Sequence, residues 1–125
     1  MIPPIFQHVQ ASEMARTLIG QNPTRFWPFD TAPQPGHPGY CLPYSTWQLV
    51  YGSPDNYLGS LPDSDNTGIQ VDAWAQTPSG ARNVMLALRN ALEQHGMVVD
   101  YNGEDKDPAT GLYRASFTIE FWTDR

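Results

Sequence analysis

The sequence holds a single cysteine, Cys41. That excludes an intramolecular disulfide and a cysteine-based metal cluster, and it suits a reducing compartment. Basic residues are also scarce. Seven Lys and Arg stand against 13 Asp and Glu, for a formal net charge of -6. A protein that grips nucleic acid by neutralising phosphates needs the opposite balance, although a surface that DNA passes without sticking is compatible with this one. No stretch approaches the roughly 18 consecutive apolar residues of a membrane span. Residues 1–20 lack the basic start and continuous apolar run of a signal peptide. Glycine-rich phosphate loops and the GxSxG nucleophile motif are absent, as are internal repeats.

The candidates for chemistry are correspondingly thin. His8, His37 and His95 fall in a first helical stretch, a proline-rich loop and the end of a second helix. None has a further histidine or cysteine at the close spacing of metal ligands, so they read as isolated surface histidines. Cys41 lies among proline turns with no helix start after it to lower its thiol pKa. It reads as a small apolar residue entering a strand. A loop beginning at Asp100 carries acids enough for calcium, but its sixth and twelfth places hold Asp105 and Gly111, where an EF-hand needs Gly and Glu. No catalytic residue, metal ligand or cofactor is expected.

What is present is a well-marked strand and helix. Ile69, Val71, Ala73 and Ala75 alternate with Gln70, Asp72, Trp74 and Gln76, the period of a strand with one face toward a core. After Thr77-Pro78 the period changes. Ala81, Val84, Met85, Leu88 and Leu92 recur at helical spacing, with Thr77 as N-cap, Pro78 in the first turn and Gly96 as a left-handed stop. The helix must lay its apolar stripe back on the sheet.

Around this unit the chain reads as follows. Residues 4–19 are helical, with Ile5, Val9, Met14 and Leu18 sharing a stripe and Phe6 and Ala15 beside it, Ser12 capping a second short helix and Gly20 ending the element. Arg25 to Pro28 suggests an edge strand. Residues 30–43 are too rich in proline and glycine for a regular element. Tyr44 to Tyr51 is a strand, followed by a long loop over 53–65. Met97 to Tyr101 and Leu112 to Trp122 form a terminal hairpin around an acidic turn. With 125 residues, the chain fits a single domain. It is α+β, with a mainly antiparallel sheet, a helix packed across one face and an N-terminal helical region.

Four tryptophans, Trp27, Trp47, Trp74 and Trp122, read as core or interface anchors, because no basic residues lie between them to suggest base stacking. Trp74 sits on the polar side of its strand. It must lie under another element or at a subunit contact. In the loop over 53–65, Tyr57, Leu58 and Leu61 are unusual choices for a purely solvated segment.

From Leu42 onward the text LPYSTWQLVYGSPDN resembles the opening of a family of small tail-completion proteins from long-tailed bacteriophages, also called tail terminators or tail-to-head joining proteins. IQVDAWAQTPSGARNVMLALRNAL is similar to that family's strand, Asp-x-Trp-Ala and Ala/Arg-rich helix. DPATGLYRASFTIEFW is similar to its close, and ARTLIGQNPTRFWP to its earlier segment. The departure is the stretch 30–39, longer and more proline-rich than the family pattern. The resemblance implies a non-enzymatic virion protein at the head–tail junction, assembled in the host cytoplasm. It implies a homohexameric ring that caps the tail tube and joins the tail to the head connector, with DNA passing through and no membrane contact. Its partners would be further copies of itself, the tail tube protein and the head-completion protein. Subunit or partner contacts are expected at Trp74, at Asp55, Asn56, Tyr57, Leu58 and Leu61, and at His37 and Tyr40. Two other classes stay open: a monomeric ligand- or protein-binding module, and a small cysteine hydrolase using Cys41 with a histidine.

Overall fold

The computed structural model describes residues 3–21, 23–55 and 64–124. In chain order the elements are α1 (Ile5–Gln10), α2 (Glu13–Ile19), β1 (Phe26–Pro28), β2 (Tyr44–Asp55), β3 (Ser64–Ala75), α3 (Pro78–Leu92), β4 (Met97–Lys106) and β5 (Tyr113–Asp124). The strands form one five-stranded sheet in the order β1-β2-β3-β5-β4. β1 runs parallel to β2, and the other pairs are antiparallel. The fold is α+β, with all three helices on one face of the sheet.

Alternation along β3 decides which face is covered. Ile69, Val71 and Ala73 are buried against Ala115, Phe117 and Ile119 of β5, directly opposite in register. α3 then presents Val84, Leu88 and Leu92 to this surface, all buried in the same cluster. Thr77 caps α3 by accepting from Gly80 N at 3.0 Å, which satisfies one of the helix's orphan amides. Removing a side chain such as Leu88 leaves a cavity between helix and sheet and costs about 2–5 kcal/mol.

The N-terminal stripe differs from the one the spacing suggests. The chain breaks at Ala11, and Ser12 caps α2 by accepting from Ala15 N at 3.2 Å. The break resets the helical phase. Ile5, Val9, Ala15 and Ile19 therefore enter the core beside Phe26, while Met14 is 56% exposed and Leu18 only partly buried.

Strand ends also lie further out than expected. β2 continues through Gly52 to Asp55 and β3 starts at Ser64, so only residues 56–63 separate the two strands. The expected contact residues Asn56, Tyr57, Leu58 and Leu61 lie outside the described residues. β4 continues through the acidic stretch to Lys106. Its polar tail is compatible with a strand because an edge strand buries little; there Arg82 of α3 holds Glu104 with bonds of 2.5 and 3.0 Å, and Arg114 of β5 holds Asp105.

Gly96 is not a left-handed stop. Positive φ angles occur at Gly20, Gly36, Gly103, Gly111 and Asp30, and Gly96 is not among them. Its reason is space. A Cβ there would lie 2.5 Å from the Glu120 carbonyl oxygen and 2.9 Å from the Phe121 ring. A glycine replaced by alanine at an unstrained site gains about 0.4–1 kcal/mol from the unfolded state. Gly96→Ala is instead expected to lose about 1–3 kcal/mol by overpacking. Urea unfolding checks this, and a neutral or stabilised variant contradicts the close approach.

Candidate functional site

The face of the sheet opposite the helices is the surface that the described residues leave open. Register builds it row by row. Tyr44, Trp74, Arg114 and Asp105 stand abreast, then Thr46, Asp72, Ser116 and Gly103. Next come Gln48, Gln70, Thr118 and Asp100, and last Tyr51, Gly68, Glu120 and Met97. The alternation that fills the core with aliphatic side chains fills this side with polar ones.

The polar groups are tied to one another. Arg114 donates to both carboxylate oxygens of Asp105 at 3.1 and 2.9 Å and lies 3.9 Å from Asp72. These carboxylates hold its guanidinium above the ordinary arginine range, the Asp105 hydrogen bond contributing most. Gln70 donates to Asp72 at 3.1 Å. Asn102, arching over from β4, donates to Ser116 and Thr118 at 3.2 and 2.9 Å and shields both from solvent. At the far end Tyr51 donates to Glu120, its ring lying across Gly68, where a Cβ would strike the ring carbons. The Tyr51 phenol is pushed up to about 12, by desolvation first and then by the bond to Glu120 and the charge of that carboxylate. The one arginine in these rows is thus already engaged by acids. What remains is a surface of amides, hydroxyls and carboxylates that offers a phosphate little to hold.

Trp74, expected at a contact, is half-buried on this face. Its indole donates to Thr46 Oγ1 at 3.1 Å and stacks on Tyr44 at 6.4 Å between centroids, and Tyr44 meets Tyr40 edge-on at 6.2 Å. The segment after β1 reaches this end, so that Phe29, Asp30, Ala32 and Gln34 line a pocket of about 240 Å³ with Trp74 and Asp72. The structure thus brings Trp74 and Tyr40 into one aromatic group. His37 stays apart and exposed, its Nδ1 accepting from Gly39 N at 2.9 Å to close a turn. Asp55 ends β2 opposite Ser64.

Three readings of single residues change. Cys41 does not enter a strand. It is exposed three residues before β2, and its nearest polar partner is its neighbour's carbonyl, Leu42 O at 3.8 Å. Trp122, one of the core or interface anchors, is 49% exposed and so lies outside the core, because it follows buried Phe121 onto the open face. His8 and His95 are not isolated: their rings stack at 3.6 Å, only 9° from parallel, joining α1 to the end of α3. Eighty-odd residues separate them, so no local spacing reveals the pair. Among the described residues no group of three or more His, Cys, Asp or Glu is arranged to hold a metal, and no helix is long and apolar enough to cross a membrane.

The histidine stack has a pH consequence. His8 lies below its ordinary value of 6.5, because burial disfavours the charged ring and because His95 repels a second charge. The groups sharing its pocket, Ser12 and Met14 on one side and Asn90 and Gln94 on the other, carry no counter-charge. A basic group with a depressed folded pKa contributes stability that is present above its unfolded pKa and is lost as pH falls through the folded one. Lowering the pH from about 7 to about 5, where histidine titrates, is expected to lower Tm. His8→Phe keeps a ring on His95 without the charge and is expected to flatten that slope. An unchanged slope rules out the stack as its origin.

Comparison with known proteins agrees with this architecture. The model of the family described as Tail completion protein gp17 matches residues 3–124. This chain belongs to that family: it is a bacteriophage tail-completion protein, a structural component of the virion. No curated protein matches it. Among solved structures, a chain from the "Virion of native gene transfer agent (GTA) particle" superposes with a TM-score of 0.61 at 12% identity, over 97% of this chain and 92% of that one. At that identity the likeness speaks to the fold.

Proposed function

We propose that this protein closes the end of the tail tube as a ring, a homohexamer, and joins the finished tail to the connector of the head while DNA passes through. Membership of the tail-completion family over nearly the whole chain carries the reading. The open sheet face supports it. Polar rows whose single arginine is neutralised by Asp105 and Asp72 suit a wall along which phosphates slide. Trp74, Tyr40 and His37, together with Asp55, Asn56, Tyr57, Leu58 and Leu61, are the proposed contacts to neighbouring subunits, the tail tube protein and the head-completion protein. Head-to-tail contacts of this kind build closed rings when the rotation closes. The work is done by binding and geometry, and no residue acts as a nucleophile or base.

Removing this protein from an otherwise complete phage tests the reading. Unjoined heads and tails are expected, with tails of uncontrolled length, and resupplying the wild-type chain restores joined particles. Cys41→Ser is expected to restore them as well as wild type does. Joined, infectious particles without the protein contradict the reading. Loss of joining in Cys41→Ser, with folding unchanged, favours the hydrolase alternative. Trp74→Ala is expected to stay folded, because the indole packs at the sheet's outer face, and to weaken assembly by about 2 kcal/mol per contact.

A further inference from the structure

The two outer edges of the sheet are unlike each other, and among the described residues both are open. β1 covers β2 only at Ser45, Thr46 and Trp47. Beyond Trp47, β2 has β3 on one side and no strand on the other among the described residues. At the opposite edge β4 is paired, among the described residues, only with β5. Free strand edges are templates for pairing with another chain.

Each free edge carries exposed apolar side chains. On β2 they are Leu49, Val50 and Tyr51, and on β4 Met97 at 52%, Val99 at 42% and Tyr101 at 54% exposure. β2 has one register shift, at Val50, and β4 has two, at Val99 and at Asn102, so a partner strand must match these irregularities or pair beside them. The edges differ in charge. β4 bears Asp100, Glu104, Asp105 and Lys106, with Glu104 held by Arg82 and Asp105 by Arg114 of the same copy, whereas β2 from Gln48 to Gly52 bears no charge. A two-fold β4–β4 pair about Val99 would bring the two Asp100 carboxylates near each other, and cross-strand like charges destabilise a ladder. A β4 edge against a β2 edge avoids this.

Strand direction points the same way. β2 is antiparallel to β3, β3 to β5 and β5 to β4, so β2 and β4 run in opposite directions. If a second copy is generated by rotation about an axis along the strands, its β2 meets the first copy's β4 antiparallel, the more stable ladder. The contact is heterologous, as closure into a ring requires.

We infer that successive copies of this chain join through these edges, β4 of one against the Gln48–Gly52 stretch of β2 in the next. The inference rests on the ring reading above and supplies its subunit contact. The open polar face then becomes a continuous inner wall.

Cross-linking in assembled particles tests it. Particles are made with the full chain carrying Cys41→Ser, Val50→Cys and Val99→Cys, then treated with a bismaleimide. Three strand spacings, about 14 Å, separate β2 from β4 within one copy, so a linker shorter than that joins only different copies. The expected result is a ladder of covalent multimers whose linked peptides contain positions 50 and 99. Chains carrying either cysteine alone remain monomeric. A particle that contains the double variant but yields no ladder overturns the edge contact, as do dimers from Val99→Cys alone, which mean a two-fold β4–β4 pair. If ring-shaped density persists at the junction in that case, the ring reading stands without this contact. If the chain is absent from the junction, both fall.

Discussion

Packing of α3 on one face of β3 and β5 is the constraint on which the other features depend. Val84, Leu88 and Leu92 meet Ile69, Val71, Phe117 and Ile119, all buried in one cluster. Only one face of each strand is apolar, so only one helical layer can be held. α1 and α2 extend that layer beside α3 through Ile5, Val9, Ala15 and Ile19. The same alternation obliges the other face to be polar and uncovered, and the short β1 leaves most of β2 free at its edge. An open face and open edges are thus consequences of how the core is made. A small domain with such surfaces is suited to stand among neighbours rather than alone.

Much of this was legible in the residues. Period-two alternation from Ile69 to Ala75 and from Tyr113 to Phe121 located the central strands, and Thr77-Pro78 located the start of α3, because each signal has a direct physical cause. Legibility failed where the cause was tertiary. The phase shift between α1 and α2 turns Ala15 and Ile19 inward in place of Met14 and Leu18, and a few residues of slack at Ala11 are enough to do that. β4 ran past Tyr101 because partners on other elements, Arg82 and Arg114, hold its acids. Gly96 sits where a helix stop is expected, but it is small because Glu120 and Phe121 of β5 press on it.

The interaction surface was harder to read than the core. Trp74 announced itself by breaking a polar row, and it does lie on the open face. Its bond to Thr46 and its stack on Tyr44 depended on register and were invisible beforehand. Tyr51 over Gly68 toward Glu120 left a trace only in the glycine itself, set in an otherwise regular strand. The His8–His95 stack left none. Family membership, carried by the order and spacing of several weak segments, supplied the biological role that no single cluster of side chains announces.

The proposal that this sheet, open on one face and at both edges among the described residues, works within a ring is tested most directly by the structure of the assembled head–tail junction. A reconstruction of the junction by electron cryo-microscopy is predicted to contain one closed ring of this chain between tail tube and connector, with the helical layer and the polar sheet face turned to opposite sides of the wall. A junction that lacks this chain, or that holds it as isolated copies not touching one another, would contradict the account.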